Sequence, residues 1–143
     1  MIQIPSGDAR RIEREAEAAY PGECCGLLAG RAIGGVLRVT RLVPSRNIVA
    51  PASRDRFEVD PQIRFDLMRR LEGTEESLIG HYHSHPDHPA QPSAHDLERA
   101  FEPDLVWLIV SVIGGTAREI RAHRPDADQT RFREEALEVV GQG

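Results

Sequence analysis

The sequence predicts a single-domain α/β fold over residues 1–143, with a mixed β-sheet flanked by helices. A length of 143 residues suits one domain, and 40% hydrophobic with 29% charged residues is enough for a packed core. Segments with helical periodicity alternate along the chain with short apolar runs rich in β-branched residues. Residues 106–113 are apolar almost throughout, as in a central strand that is buried on both faces.

Three helices are predicted, each with a capping residue before it and a proline or glycine at its end. They begin after Ser6, Asp60 and Ser93 as N-caps and end at Pro21-Gly22, Gly73 and Pro103. Apolar residues recur at helical spacing in each of them. The inward faces are predicted to consist of Ala9, Ile12, Ala16 and Ala19 in the first helix, Ile63, Leu67 and Leu71 in the second, and Leu97, Ala100 and Phe101 in the third.

Strands are predicted between these helices, and two Gly-Gly pairs mark hairpin turns. The predicted strands cover 24–29, 36–43, 57–59, 78–85, 106–113 and 117–123, with turns at 34–35 and 114–115. The segment 132–140 is open to two interpretations, because its last two valines favour a strand while the preceding charged residues suit a helix. Residues 44–56 are predicted to form a long surface loop, which in a compact domain is often functional.

Composition excludes several classes of protein. The net charge of −5 does not fit a basic nucleic-acid surface. No stretch approaches 18 apolar residues, and the N-terminus lacks the order of a signal peptide, so no membrane partner is expected. Cys24 and Cys25 are adjacent, with Cα atoms about 3.8 Å apart, which is too close for an ordinary disulfide. Reduced thiols in a cytoplasmic protein are therefore expected.

Five of the six histidines lie between positions 81 and 95. His83 and His85 are two apart on a predicted strand, so their side chains project from the same face. Pro86 then ends the strand, which leaves both imidazoles at its exposed end, where they can bind one metal ion. His81 shares this face one pleat deeper and is expected to support the site. The remaining histidines are expected to be solvated (His88, His95) or structural (His123).

Ser93 and Asp96 are three apart at the start of the third helix and share one face. A helix start placed against the strand end would add a carboxylate to the two imidazoles, which with one water is a typical catalytic zinc site. The same pair also fits a simple N-cap with an acidic third position, and both interpretations stay open. A hydrolase of this kind needs a base, for which Glu23 is the candidate, although a glutamate at a strand start is usually only solvated.

Taken together, these residues resemble a family signature. Glu23, the run 83–86, Ser93 after seven residues that follow His85, and Asp96 after two more are similar to the signature of the JAMM (MPN+) metalloproteases. The flanking segments 21–28, 56–61 and 80–87 are also similar to that family, and the resemblance covers roughly 6–123. It implies an MPN-like α/β fold with cytidine-deaminase-like layering.

The resemblance also implies an activity. His83, His85 and Asp96 would bind one Zn²⁺ per chain, Glu23 would be the general base, and Ser93 would stabilise the oxyanion. The implied reaction is hydrolysis of an amide bond after the C-terminal Gly-Gly of a ubiquitin-like or sulfur-carrier protein, by an isopeptidase or a peptidase that releases cysteine. The carrier's tail is the expected partner and would bind as an added strand. The loop 44–56 would contact the carrier's acidic surface.

Two other functions are compatible with parts of the pattern. His83-x-His85-x-Asp87-His88 also fits the metal-binding motif of metallo-β-lactamase-like hydrolases, but that interpretation needs further histidines and leaves Glu23 and Ser93 without roles. A metal-free MPN-type interaction scaffold is the second alternative. Such scaffolds are marked by loss of the ligand residues, all of which are present in this chain.

Overall fold

Eight strands in one mixed sheet and three helices form the described part of the chain. The computed structural model describes residues 1–49, 56–100, 102–128 and 130–141, without the side chain of His95. The elements are β1 (Ile2–Pro5), α1 (Ser6–Ala19), β2 (Cys25–Ile33), β3 (Val36–Ser45), α2 (Pro61–Leu71), β4 (Ser77–Pro86), α3 (Ala94–Glu98), β5 (Val106–Ile113), β6 (Thr116–Pro125), β7 (Phe132–Glu135) and β8 (Leu137–Val140). Their order across the sheet is β7-β6-β5-β4-β2-β3-β1-β8. The β1–β3, β1–β8 and β4–β5 pairs are parallel, which confirms a mixed sheet.

The sheet curls until its two edges meet. β7 pairs with β6 at one edge and β8 pairs with β1 at the other, yet only Ala136 separates β7 from β8. Two residues of extended chain span about 7 Å, so the edges must be close in space. The N–H of Ile2 donates to the carbonyl of Ala136 at 2.8 Å and strengthens this closure. Of the two interpretations of 132–140, the strand is therefore correct.

The core lies on both faces of the sheet. On one face, Ile12 and Ala16 of α1 pack with buried residues of β2, β4 and β5. On the other face, Leu67 and Leu71 of α2 pack against Leu27 and Ala29. β5 lies between β4 and β6 and is buried from Val106 to Val112, as its apolar sequence predicts.

Most predicted caps and turns are confirmed. Asp60 caps α2 by accepting the N–H of Gln62 at 3.0 Å, and Pro61 occupies the first helical position. Ser93 caps α3 in the same way. The glycines of both hairpin turns and Gly73 adopt positive φ, a conformation that favours glycine.

Several predicted elements differ in extent; β2, for example, continues to Ile33 rather than ending at residue 29. α1 begins at Ser6 itself, so Ser6 as N-cap is wrong; Pro5 is the cap residue because the unpredicted strand β1 runs directly into the helix. α3 ends at Glu98 rather than before Pro103. Residues 57–59 form only a single bridge, between Val59 and Asn47. The loop predicted at 44–56 begins later, because β3 continues to residue 45.

Some predictions about side chains fall on residues with partial description. Ala100 is buried and Leu97 is half-buried, as expected for the inner face of the third helix. Phe101 lies outside the described residues, as do residues 50–55 of the predicted loop. In the described part of the chain, no helix combines the length and apolar character needed to cross a membrane.

Candidate metal centre and active site

β4 carries the two predicted imidazole ligands on one face. His83 is paired with Cys25 of β2 on one side and with Ile109 of β5 on the other, so the strand is held from both sides. His83 is fully buried and His85 is 8% exposed. Their Nε2 atoms are 3.1 Å apart, which confirms that both side chains project to the same point.

α3 brings a carboxylate to these imidazoles. Asp96 Oδ2 lies 3.2 Å from Nε2 of His85 and 3.6 Å from Nε2 of His83. The short helix also has the predicted capping box, since Ser93 Oγ accepts the N–H of Asp96 at 3.0 Å and Asp96 Oδ2 accepts the N–H of Ser93 at 2.9 Å. The side chain of Asp96 therefore takes part in the capping box and also lies beside the two imidazoles.

The protonation states at this point fit a bound cation. The Nδ1–H of His85 donates to the carbonyl of Pro89 at 3.0 Å, so Nε2 is the ring nitrogen that faces His83 and Asp96. Burial lowers the pKa of His83 to about 4, so that ring is neutral. Burial opposes ionisation of Asp96, but its close contacts with the two histidines and with the N–H of Ser93 outweigh it and hold the pKa of this carboxyl well below its usual value.

Three potential ligand atoms thus converge at one point, where a single cation can bind all of them. The three atoms lie within 4.8 Å of one another, and among the described residues this is the group of His, Cys, Asp and Glu side chains that could hold a metal ion. The residues present therefore fit a metal. The hydrogen bond from His85 to Pro89 is the kind of outer contact that orients a metal-binding histidine.

Glu23 lies just before β2 and approaches the metal-binding candidates from that side. The N–H of Cys24 donates to Ser84 Oγ at 2.9 Å, and the N–H of Ser84 donates to the carbonyl of Cys24 at 3.2 Å. These bonds extend the β2–β4 pairing by one residue, which brings Glu23 level with His85. Glu23, 5% exposed, lines one pocket of about 320 Å³. The other residues lining it are His85, His88, Pro89, Gln91, Pro92 and Ser93.

The structure therefore brings all five predicted site residues together. Glu23, His85 and Ser93 face the pocket, and His83 and Asp96 lie against His85. Asp96 is 3% exposed and His83 is fully buried, so these two metal-binding candidates are almost inaccessible to solvent.

An aromatic wall that sequence reasoning did not single out packs behind the metal-binding atoms. Phe57 stacks on His83 with ring centroids 4.0 Å apart and an interplanar angle of 13°. Trp107 presents its edge to His83 at 5.6 Å and to His81 at 4.4 Å. Phe57 lies within the flanking segment 56–61, but no spacing rule points to it. Its stacking on His83 joins two segments that lie about 25 residues apart in the sequence.

His81 lies on the same face, as predicted. It lines a neighbouring cavity of about 350 Å³ together with Phe57 and Trp107. Burial lowers the pKa of His81 to about 3, so the ring is neutral. Its Nδ1, like that of His83, has no hydrogen-bond partner among the described residues. The ring packs in the aromatic wall, which fits a supporting position.

The other histidines behave as expected where they are described. His88 is exposed. His123 is buried, and its Nε2 lies 2.8 Å from the carbonyl oxygen of Ala90. The side chain of His95 lies outside the described part of the structure.

Asp87 has a structural position that conflicts with the metallo-β-lactamase-like alternative. It adopts a positive φ of 58°, and its carboxylate accepts the hydroxyl of Tyr20 at 2.7 Å and the N–H of Gly114 at 2.8 Å. Its carboxylate therefore fixes the end of β4 to two other segments and is not part of the candidate metal group. The metal-free scaffold is also disfavoured, because all three ligand candidates converge.

Comparison with known proteins places the chain in a family. The model of the prokaryotic homologues of the JAB domain matches residues 5–126. The chain belongs to this JAB family. A desampylase of Haloferax volcanii is 36% identical over 119 residues, which cover 83% of this chain and 79% of the relative. A CysO-cysteine peptidase of Mycobacterium tuberculosis is 33% identical over 109 residues, which cover 76% and 72% of the two chains.

Solved structures agree with the JAB assignment. A protein of Desulfitobacterium hafniense, solved in solution, superposes with a TM-score of 0.84 at 29% identity, over 99% of this chain and 94% of the other. A JAB1/MPN domain protein of Archaeoglobus fulgidus superposes with a TM-score of 0.62 at 21% identity, over 96% and 98%. The second likeness concerns the fold alone, and it confirms the predicted MPN-like α/β fold.

Proposed function

We propose that this JAB-family chain is a zinc-dependent peptidase of the JAMM type. Its reaction is hydrolysis of the amide bond that follows the C-terminal Gly-Gly of a ubiquitin-like or sulfur-carrier protein. The observation that carries the proposal is the convergence of His83, His85 and Asp96 beside a pocket that Glu23 and Ser93 also line. The names of the relatives, a desampylase and a CysO-cysteine peptidase, support it.

We assign one Zn²⁺ per chain to His83, His85 and Asp96. Two imidazole nitrogens and one carboxylate oxygen are a common set of three protein ligands at a catalytic zinc, and these three side chains would hold the ion beside the pocket. When bound, zinc lowers the pKa of a coordinated water and polarises a carbonyl oxygen.

Glu23 acts as general base and then as general acid. Its carboxylate lines the pocket beside His85, where it accepts a proton from the attacking water. The same carboxyl then returns the proton to the departing amine, so that a neutral amine leaves. Because the side chain is nearly buried, little bulk water competes for its oxygens.

Ser93 stabilises the developing negative charge. Its Oγ accepts the N–H of Asp96, which leaves the hydroxyl proton available to donate to the oxyanion. The capping box holds this hydroxyl at a fixed position relative to Asp96, so the donor is in place before the substrate arrives.

The pocket suits a tail without side chains. Two glycines can pass close to the metal-binding atoms, between the side formed by Glu23 and His85 and the side formed by Pro89, Gln91 and Pro92. The body of the carrier would contact the segment 44–56, in whose described part Arg46 has a side chain 79% exposed. The two cysteines, Cys24 and Cys25, are free thiols, which fits the proposal that the protein is cytoplasmic. The proposed enzyme consists of one domain, 1–143.

The proposal is tested with two substrates that share one Gly-Gly carrier. One bears a C-terminal cysteine, and the other is joined through its terminal glycine to the ε-amine of a lysine peptide. Mass spectrometry is expected to show a carrier ending in Gly-Gly from at least one of them. The Glu23→Gln variant serves as the negative control. It is expected to produce this carrier far more slowly than the wild type does. If the zinc-loaded chain cleaves neither substrate, the proposed function is wrong.

A further inference from the structure

The side chain of Asn47 links three segments that meet at the edge of the site. Its Nδ2 donates to the carbonyl of Glu23 at 3.3 Å and to the carbonyl of Arg56 at 3.0 Å. Its Oδ1 accepts the N–H of Glu58 at 3.0 Å and the N–H of Val49 at 3.2 Å. An amide side chain offers two donor hydrogens and two acceptor lone pairs, so all four are used.

The hydrogen-bond partners of the Asn47 amide include Glu23 and a segment that contacts the metal-binding candidates. Glu23, the proposed base, is one of them directly. Glu58 is bonded in sequence to Phe57, whose ring stacks on His83. The carboxylate of Glu58 also pairs with Arg99 at 3.0 Å, and Arg99 directly follows α3, the helix that supplies Asp96. One side chain is therefore connected to the base and to segments that touch two metal-binding candidates.

Glu23 and residues 56–58 lie outside the strand ladders, and the N–H of Ile48 donates to the carbonyl of Glu58 at 3.1 Å as part of a single bridge. Glu23 precedes β2, which begins at Cys25, and residues 56–58 belong to no strand or helix. The carbonyl of Glu23 lies in a nearly buried residue, and a carbonyl in such a place needs a donor. The amide of Asn47 supplies that donor in place of a neighbouring strand.

We propose that Asn47 is a positioning residue that fixes Glu23 relative to the metal-binding side chains. This inference rests on the proposed function, because it takes Glu23 to be the base. Asn47 is not itself one of the residues that line the pocket, and it is not one of the three convergent ligand candidates. It acts through the backbone of Glu23 on one side and through the segment 56–58 on the other.

The substitution Asn47→Asp removes the two hydrogen bonds that the Asn47 Nδ2 group donates. A carboxylate keeps an oxygen for the N–H groups of Glu58 and Val49, but it cannot donate to the carbonyls of Glu23 and Arg56. We expect kcat to fall about 10- to 100-fold, the cost of a small displacement of a catalytic group. KM and zinc content are expected to stay within about 2-fold of the wild type. Gln62→Glu makes the same amide-to-acid change on the exposed face of α2 and is the matched control.

A double-mutant cycle separates positioning from general damage. If Asn47 acts through Glu23, then Asn47→Asp added to Glu23→Gln should reduce the residual single-turnover rate by less than about 3-fold. If the two reductions instead multiply, or if Asn47→Asp leaves kcat at the wild-type value, the inference is overturned. Should Asn47→Asp fail to fold, Asn47→Ser, a shorter side chain that retains one hydroxyl donor, takes its place in the same cycle.

Hydrogen exchange gives a readout that does not depend on activity. In the zinc-loaded chain, Asn47→Asp should speed amide exchange in the peptides that cover 22–26 and 56–60, and Gln62→Glu should not. If the wild type shows no peptidase activity, the proposed function fails and this measurement still decides the inference. Unchanged exchange in both peptides would overturn it, and faster exchange in both would support it.

Discussion

At the scale of single residues, one oxygen of Asp96 has two functions. Oδ2 accepts the N–H of Ser93 at 2.9 Å and lies 3.2 Å from Nε2 of His85. A carboxylate oxygen has two lone-pair sites, so the capping bond leaves one for a cation. The two interpretations of Ser93 and Asp96 that the sequence leaves open are therefore not exclusive, because the cap aims the carboxylate at the imidazoles.

The two adjacent cysteines should be unreactive in the folded chain. Burial raises the pKa of both Cys24 and Cys25 to about 12, from an ordinary 9.0, and the carboxylate of Glu23 adds to the rise. Since the thiolate is the nucleophile, a rise of about three pH units lowers the reactive fraction about 1000-fold at neutral pH. We expect iodoacetamide at pH 8 to leave the native chain unlabelled by mass spectrometry while it labels both thiols in urea. Rapid labelling of the native chain would contradict this.

The residues that sequence reasoning identified are those whose chemistry is distinctive. The convergence of His83, His85, Asp96, Glu23 and Ser93 was predictable because candidate metal ligands, a candidate base and a cap have characteristic types and spacing. Phe57 and Asn47 were not, because an aromatic ring and an amide are common in folded chains and act here only through contacts between distant segments.

At the scale of elements, α3 is short for the function it supports. It has five residues, Ala94–Glu98, and isolated helices of that length are unstable. The capping box holds its start, and the pair between Arg99 and Glu58 holds its end. The geometry of the metal centre therefore depends on local hydrogen bonds at the ends of this helix.

Two substitutions of Ser93 separate its capping function from its chemical one. Ser93→Ala removes the acceptor for the N–H of Asp96 and should lower the free energy of unfolding by about 1 kcal/mol. Ser93→Asp keeps an acceptor at the cap, so its stability in urea unfolding should stay near that of the wild type. Neither variant can donate a hydrogen bond to the oxyanion, and we expect kcat to fall about 100-fold in both.

The outcome that would contradict this assignment is specific. If Ser93→Asp retains wild-type kcat, Ser93 acts as a cap alone and has no part in stabilising the oxyanion. If instead Ser93→Ala is as stable as the wild type, the capping box contributes little to the fold.

Elements with strong local signals were predictable. The N-cap and proline at the start of α2, the Gly-Gly turns and the apolar run of β5 lie where the sequence indicates. The start of α1 and the end of α3 were misplaced, since β1 is only four residues long and α3 stops without a proline. Boundaries of this kind depend on tertiary contacts more than on local preference.

At the scale of the whole molecule, closure of the sheet depends on pairing between the two ends of the described chain. β8 pairs in parallel with β1, over 130 residues away, and β7 continues the sheet beyond β6. Local sequence carries no information about such distant pairing, which is why 132–140 was equally compatible with a helix. The two edges come close at Ala136, and the site forms on the opposite side of the sheet from α1.

The central claim is that His83, His85 and Asp96 hold one catalytic zinc while Glu23 supplies the base. The most direct measurement is the zinc content of purified chains by mass spectrometry, after dialysis against a weak chelator. The wild type and Glu23→Gln should each retain about one zinc per chain, and His85→Ala should retain almost none. A wild type without zinc, or a His85→Ala variant that retains it, would contradict the account.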